Sequence, residues 1–424
     1  MKDIFANKYD HYEILIFISG LFSTFQVLTF HGITVFSWFL LLMLFLGLAE
    51  KRGLSDINLW NTKEILIGLV LLTMTATELI TVFLNDYPEW KSRSLNNYIL
   101  MVAVFLLFFI LRENERYRKT YIKGIMISCV VQYLVCYLEY ILYTLFNYDL
   151  TKILFDHEID FRDEHPIFVG LTTNAGMMVP VVLIGLCLSS NIFIKIMALS
   201  AALLVNSSSC VLCVAFFFGV FFLYNISKKA SNGWNFGWIA LVLFALVIIT
   251  FLLYEPLRTR TISLYSYALN RLGNASTATN FSDGSTYKHF RYYWSAPYIF
   301  DHLTVIRRLF GFGKNCSGIP FIEFYNQYPD ELWIPESDPI ATLYDVGIFG
   351  FAAFYALLGK ITFDLSKKNA MHGIFMLCVL FGGIFYGFQM TWFLLLELLL
   401  WEDSSRSDYP DTSTTVPQLC YHEK

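Results

Sequence analysis

The chain has 424 residues, of which 56% are hydrophobic and only 15% are charged. One water-soluble core could not bury that much apolar surface, so the composition excludes an ordinary soluble globular protein and predicts an integral membrane protein. The net charge of −4 gives none of the basic signature that nucleic-acid binding requires, so we expect no nucleic-acid partner.

Apolar runs of about the length that crosses a hydrocarbon core recur along the chain. They cover residues 14–30, 32–49, 64–84, 97–111, 122–147, 166–190, 192–206, 209–225, 236–254, 340–359 and 372–401. The last run is interrupted by Gly387, Phe388 and Gln389, so it forms one tilted helix or a short hairpin. The pattern predicts an all-α polytopic membrane protein with 11 or 12 transmembrane helices. Because no small-residue cleavage site follows the first run, we expect no removable signal peptide.

The distribution of Lys and Arg predicts the orientation, because cytoplasmic loops carry an excess of positive charge. If the N-terminus is cytoplasmic, the inner segments hold 16 Lys and Arg, and the short outer loops hold 4. The predicted organisation is therefore nine helices over residues 1–254, an extracytoplasmic segment at 255–339 and the C-terminal helices at 340–401. Residues 402–424, rich in Ser, Asp and Thr, are predicted to form a disordered tail.

Polar residues within the apolar runs are expected to face the bundle interior, because exposing them to lipid is costly. They are Glu78, Gln132, Glu139, Asn174, Asp345 and Glu397. Each of them could also simply hydrogen-bond a neighbouring helix. Cys210 and Cys213 have a C-x-x-C spacing, but within an apolar run they are expected to pack as small hydrophobic residues. We find no His/Cys spacing that predicts a metal site.

The predicted external segment contains residues suited to sugar and phosphate. A predicted helix places Arg291, Trp294 and Tyr298 on one face. Arg307 and Arg308 then precede a Gly-Phe-Gly turn, where backbone N–H groups can approach an anion. A membrane-surface helix with snorkelling arginines is the structural alternative.

Two carboxylates stand at the entrance to the run at 340–359. Asp338 is predicted to be the N-cap of that helix, with Pro339 at the first helical position. Glu336 precedes the cap and has no comparable structural explanation. It is therefore the stronger candidate for a chemical role.

Four segments resemble motifs of the bacterial polysaccharide polymerase and O-antigen ligase family, whose members are GT-C-like membrane glycosyltransferases. They are FRDEHPIFVGLTTNAG (161–176), FRYYW (290–294), RRLFGFG (307–313) and ESDPIATLYDVGIFG (336–350). The pair Glu336-Ser337 stands where the ligase branch usually has His-Asn, and it is similar to acidic versions in capsule polymerases. The chain departs from the family at Ser209-Cys210, where a Ser-Arg pair is common.

The resemblance implies a glycosyltransferase in the bacterial cytoplasmic membrane. Because the sequence has no metal-ligand spacing, we expect a metal-independent mechanism without a cofactor. The substrate would be an oligosaccharide on polyprenyl pyrophosphate, polymerised at the outer face into capsular, exo- or O-antigen polysaccharide. Membrane lipids, a flippase and a chain-length regulator are the implied partners. Glu336 is the expected general base and Asp338 the second choice. The expected substrate ligands are Arg162, Asn174, Arg291, Trp294, Arg307 and Arg308.

Two other functions remain compatible with the sequence. A ligase that transfers the glycan to a different acceptor would use the same chemistry, although the acidic pair favours a polymerase. A flippase or secondary transporter would also be a polytopic bundle with buried polar residues. The sequence shows no internal repeat, however, and inverted repeats are typical of many transporters.

Overall fold

The computed structural model describes residues 10–30, 33–49, 61–84, 88–112, 114–155, 160–162, 165–172, 175–205, 207–230, 293, 295–325, 337–385 and 396. Within these residues the chain is all-α apart from two short antiparallel hairpins. The predicted crossing at 236–254, Glu397 and the tail lie outside the described residues, as does most of the predicted external segment.

The helices are α1 (His11–Phe22), α2 (Val35–Ala49), α3 (Thr62–Leu84), α4 (Pro88–Arg112), α5 (Glu115–Phe146), α6 (Leu150–Phe155), α7 (Ala175–Leu188), α8 (Ile192–Leu204), α9 (Ser208–Ala230), α10 (Val305–Phe310), α11 (Ile319–Tyr325), α12 (Asp338–Lys368) and α13 (Ala370–Phe385). Strand β1 (Thr29–Phe30) pairs with β2 (Ile33–Thr34), and β3 (Asp160–Arg162) pairs with β4 (His165–Ile167). A further helical segment covers residues 295–302.

Four of these helices contain stretches long and apolar enough to cross a membrane: Thr62–Leu84, Trp90–Arg112, Glu115–Phe146 and Asp338–Lys367. Large apolar side chains also cover the outside of the bundle, and Phe83 is 79% exposed while Leu145 is 68% exposed. Soluble proteins rarely expose so much contiguous apolar surface. The structure therefore supports an all-α membrane protein.

Short polar side chains define where several helices begin and end. Asp10 accepts a hydrogen bond from the N–H of Tyr12 at the start of α1, and Asn114 accepts from two N–H groups at the start of α5. These bonds satisfy amides that have no partner within the first turn. Helix α5 ends where Asn147 adopts a left-handed conformation, with φ of 52°.

Helices α1 and α5 approach each other closely because glycine occupies both sides of the contact. A methyl group on Gly20 would lie 2.5 Å from the carbonyl oxygen of Tyr121, and one on Gly124 would lie 2.6 Å from that of Phe17. Small residues that admit such backbone contact are common between membrane helices.

The bundle has two polar ends of different character. At the charged end, which we define by residues 10–13, 61–64 and 112–123, Glu13 pairs with Arg116 and Glu64 pairs with Arg112. We call the opposite end the loop end and define it by residues 165–172 and 311–317. These residues contact the C-terminal parts of α3 and α5 and the N-terminal part of α12.

Candidate functional site

The candidate site is at the loop end, where helix α12 is broken. Gly347 has φ of 65° and ψ of −174°, which interrupts the helical hydrogen bonding of α12. The carbonyl oxygens of Tyr344 and Asp345 instead accept hydrogen bonds from the N–H groups of Phe312 and Gly313, each at 2.9 Å. The Gly-Phe-Gly turn is thus joined directly to the break in the helix.

This junction requires glycine on both sides. Gly311 has φ of 73°, and a methyl group there would lie 2.4 Å from the carbonyl oxygen of Asp345. A methyl group on Gly347 would lie 2.3 Å from the carbonyl carbon of Leu309. Both contacts are with backbone, and both positions have a positive φ that residues with a Cβ rarely adopt.

Asp345 binds the segment that follows the turn. Its side chain is fully buried, as predicted. One carboxylate oxygen accepts from the N–H groups of Cys316 and Ser317, at 2.9 and 2.7 Å. The other accepts from the N–H of Asn315 at 2.8 Å and from the ammonium of Lys314 at 3.2 Å. All four donors therefore converge on one carboxylate, which satisfies its charge within the protein.

Helices α3 and α4 hold the same segment from the other side. Glu78, also buried as predicted, accepts hydrogen bonds from the hydroxyl of Ser94 at 2.5 Å and from the N–H of Lys314 at 3.1 Å. Thr77 donates to the carbonyl oxygen of Phe310 at 2.7 Å. Residues 310–317 are consequently fixed by two carboxylates on different helices.

Arg307 and Arg308, two of the predicted substrate ligands, both bind backbone carbonyl oxygens. Arg307 donates to the carbonyl oxygens of Leu84 and Gly311, at 2.7 and 3.1 Å, and its guanidinium lies 4.6 Å from the ring centre of Phe312. Arg308 donates to the carbonyl oxygens of Leu303 and Asp301. These contacts stabilise the turn and bring two positive charges to the loop end.

Asp338 lies at the start of α12, nearly buried against α13. A methyl group on Gly383 would come within 2.9 Å of one of its carboxylate oxygens. The N-cap prediction is wrong by one residue, because α12 begins at Asp338 and its N-cap is Ser337. The side chain of Ser337 makes no capping bond and instead contacts the hydroxyl of Tyr293, at 2.9 Å.

Tyr293 connects this corner to the segment before it. Its hydroxyl donates to the carbonyl oxygen of Ile384, so the hydroxyl of Ser337 is the donor to Tyr293. Burial raises the pKa of Tyr293, and the nearby charge of Asp338 raises it further. The corner therefore places a shielded carboxylate near two hydroxyl groups that hydrogen-bond to each other and to a backbone carbonyl oxygen, and the carboxylate of Asp338 is the group among them that can accept a proton.

The remaining predicted site residues lie outside the described part of the chain. They are Asn174, Arg291, Trp294 and Glu336. For Arg162 only the backbone is described, and it pairs with His165 in the β3–β4 hairpin.

The described candidates lie at two levels along α12, one beside its break and one at its start. Arg307 and Arg308 belong to α10, which packs near the break of α12, with the rings of Phe310 and Phe349 5.6 Å apart. Asp338 precedes Tyr344 by six residues, which is about 9 Å along a helix.

Sequence reasoning missed Lys314 and Tyr293 as parts of this region. A lysine directly after Gly-Phe-Gly, together with an aspartate in an apolar run, was a usable signal for an ion pair. Nothing local indicated the contact of Tyr293 with Ser337, because 44 residues separate them. Among the residues that the structure describes, no group of three or more His, Cys, Asp or Glu side chains is arranged to hold a metal ion.

A comparison with protein-family models finds no match for this chain, and a comparison with curated proteins finds no similar sequence.

Proposed function

We propose that the chain is a polysaccharide polymerase that joins lipid-linked oligosaccharide repeat units at the outer face of a bacterial cytoplasmic membrane. In this proposal the 11 or 12 helices cross the membrane, the N-terminus and the charged end face the cytoplasm, and the loop end faces outside.

One observation carries the proposal. The segments RRLFGFG and ESDPIATLYDVGIFG, which resemble separate motifs of the polymerase and ligase family, are in direct contact through Phe312, Gly313 and the break of α12. Motif residues that act on one substrate must lie together in the fold. The contact between them is what a shared site requires.

The reaction makes specific demands on these groups. A hydroxyl of the acceptor unit attacks the anomeric carbon of the donor, the bond to the pyrophosphate oxygen breaks, and polyprenyl pyrophosphate leaves. The proton of the attacking hydroxyl passes to a carboxylate. Glu336 is the proposed base, and Asp338, shielded beside Tyr293, is the alternative.

Positive charge is needed where the leaving group develops its negative charge. Arg307 and Arg308 supply it at the loop end, and Arg291 is proposed to join them. Arg162, Trp294 and Asn174 are proposed to bind the glycan.

The test measures the length of the glycan made by cells whose only copy of the protein is a variant. We expect Glu336→Gln to abolish polymer and to accumulate lipid-linked single repeat units, because glutamine keeps the shape but cannot accept the proton. Asp338→Asn should leave polymer if Asp338 is only structural. Asp364→Asn, at the opposite end of α12, is the matched control and should leave chain length unchanged.

The outcomes separate the alternatives. Full-length polymer from both Glu336→Gln and Asp338→Asn would contradict carboxylate catalysis at this site. Loss in Asp338→Asn alone would transfer the role to Asp338. If the wild-type protein transfers a complete glycan to a different acceptor and does not lengthen the glycan, the protein is a ligase.

A further inference from the structure

A basic cavity lies at the charged end, far from the candidate site. It has a volume of about 490 Å³ and is lined by Glu115, Arg116, Lys119, Thr120 and Lys123. These side chains share one face in the first turns of α5, because they are three or four residues apart. Three cations therefore line a shallow cavity that is open to its surroundings along one face of α5.

Neighbouring carboxylates neutralise two of these cations. Glu13 binds Arg116 at 2.6 Å and accepts a hydrogen bond from Thr120 at 2.9 Å, and Glu115 pairs with Lys119 at 2.5 Å. Three cations less two carboxylates leave one positive charge. In the part of the chain that the structure describes, Lys123 forms no ion pair, so this charge is on Lys123.

The same face of α5 continues as an apolar stripe. Its exposed side chains are Ile127, Leu134, Leu138, Ile141 and Leu145. From Lys123 to Leu145 the helix rises about 33 Å, close to the thickness of a hydrocarbon core of roughly 30 Å. The stripe is therefore long enough to span the hydrocarbon core of a membrane. The cavity then lies at the level of the lipid headgroups.

We propose that this cavity binds the phosphate headgroup of an anionic membrane lipid. Lys123 and Lys119 donate to the phosphate, and the acyl chains lie along the stripe from Ile127 onward. Glu13 holds Arg116 and Thr120 from the interior, so the cavity is kept in shape without a ligand. A lipid uses both the charge and the stripe, whereas a free phosphate uses only the charge.

The test is native mass spectrometry of the purified full-length chain, titrated in detergent with phosphatidylglycerol or phosphatidylcholine. A basic side chain near an anionic membrane contributes about 1 kcal/mol, which is about fivefold in affinity. Because Glu115 already neutralises Lys119, the uncompensated charge is that of Lys123, and we expect Lys119→Gln with Lys123→Gln to weaken phosphatidylglycerol binding about fivefold or more. Binding of phosphatidylcholine should not change.

The matched control is Lys360→Gln with Lys367→Gln, which removes the same charge from α12 outside the cavity. Its affinity for phosphatidylglycerol should remain that of the unvaried chain. Unchanged affinity in the Lys119 and Lys123 variant, or an equal loss in the control, would overturn the proposal. Displacement of bound phosphatidylglycerol by millimolar inorganic phosphate would show that the cavity selects the anion alone, which would also overturn it. Because Lys119 is 59% exposed and Lys123 is exposed, both variants should fold, which thermal unfolding checks.

Discussion

Two irregular segments at the loop end are both held by polar side chains. One segment packs against a continuous helix, and the other packs against a broken helix. Residues 168–171 lie on α5, which is continuous. Glu139 accepts a hydrogen bond from the N–H of Gly170 at 2.9 Å, and Gln132 accepts one from the N–H of Leu171 at 2.7 Å. Each side chain there satisfies one amide of the segment, and the helix keeps its own backbone bonds.

Residues 311–317 lie on α12, which is broken. Two carbonyl oxygens of the helix and the carboxylate of Asp345 together accept five backbone N–H bonds from this segment. The segment can approach only because Gly311 and Gly347 lack side chains.

The difference shows two ways to bury irregular backbone in a membrane protein, where every N–H needs an internal partner. On α5 the bonds are separate, so the loss of one leaves the others in place. On α12 the helix break, the glycines and the carboxylate depend on one another. Damage to one member should therefore remove the whole arrangement, together with the position of Arg307 and Arg308.

The largest effect is expected from Gly347→Ala. The added methyl group would meet the backbone of Leu309 at 2.3 Å, and the backbone conformation of Gly347, φ 65° with ψ −174°, costs a residue with a Cβ about 1–3 kcal/mol before any clash. We expect little folded protein by fluorescence-detected size exclusion in detergent. Gly359→Ala, in the same helix with no atom within 4 Å of the new methyl group, should be neutral or slightly stabilising. Equal yields from the two variants would mean that the break is not needed.

Asp345→Ala should have the next largest effect, about 3–5 kcal/mol, because three amides and the mostly buried ammonium of Lys314 lose their acceptor. The free energy of unfolding in mixed micelles measures it. Asp364→Ala, which removes a partly exposed pair with Lys360, should cost about 1 kcal/mol or less.

Labelling of Cys316 gives an independent measurement of the same change. Burial raises the pKa of this thiol well above its ordinary range, and Asp345 raises it further. The thiol is protonated and enclosed near the carbonyl oxygen of Trp90, so alkylation should be slow. In a Cys420→Ala background, Asp345→Ala should accelerate it. An unchanged labelling rate would mean that the segment does not depend on Asp345.

Gln132→Leu should cost less, about 1–3 kcal/mol, since it leaves the N–H of Leu171 without an acceptor. It also removes the bond from the side chain of Gln132 to the carbonyl oxygen of Thr24, at 2.8 Å. Thermal unfolding measures the change, with Leu134→Ala on the exposed face of α5 as the control. A loss as large as that of Asp345→Ala would remove the distinction between the two segments.

The sequence predicted the helices and the burial of their polar residues better than the extent of each helix. Burial of Glu78, Gln132, Glu139 and Asp345 followed from the cost of exposing them to lipid. The run 166–190, in contrast, forms α7 only from Ala175, because residues 168–171 are bound to α5 instead. Apolar character alone does not distinguish a helix from irregular backbone that a neighbouring helix satisfies.

The contacts of the site could not be read from local patterns. Glu78 binds the N–H of Lys314, a residue 236 positions later in the chain. At the start of α12, the side chain of Ser337 bonds to Tyr293, 44 residues earlier, rather than to its own helix. In both cases a side chain binds a residue that is far away in the chain. A single sequence does not show which distant residues come into contact.

The smallest effect is expected from Glu139→Gln, and its comparison with Asp345→Asn tests the distinction between the two segments most directly. Both replace an acid with its amide. Glu139 accepts one backbone bond, from the N–H of Gly170, and the hydroxyl of Thr151 also hydrogen-bonds to its carboxylate. The side-chain oxygen of glutamine can keep the bond to Gly170, so the change should cost about 1 kcal/mol or less.

Asparagine at 345 cannot do the same, because each of the two carboxylate oxygens accepts from two donors. Its amide nitrogen would face donors in place of an acceptor, which should cost about 3 kcal/mol or more. Thermal unfolding of the two variants in one detergent gives the comparison. Equal melting temperatures would show that the carboxylate of Asp345 holds its segment no more strongly than that of Glu139. A clear separation would show that the carboxylate holds the segment through all its bonds at once.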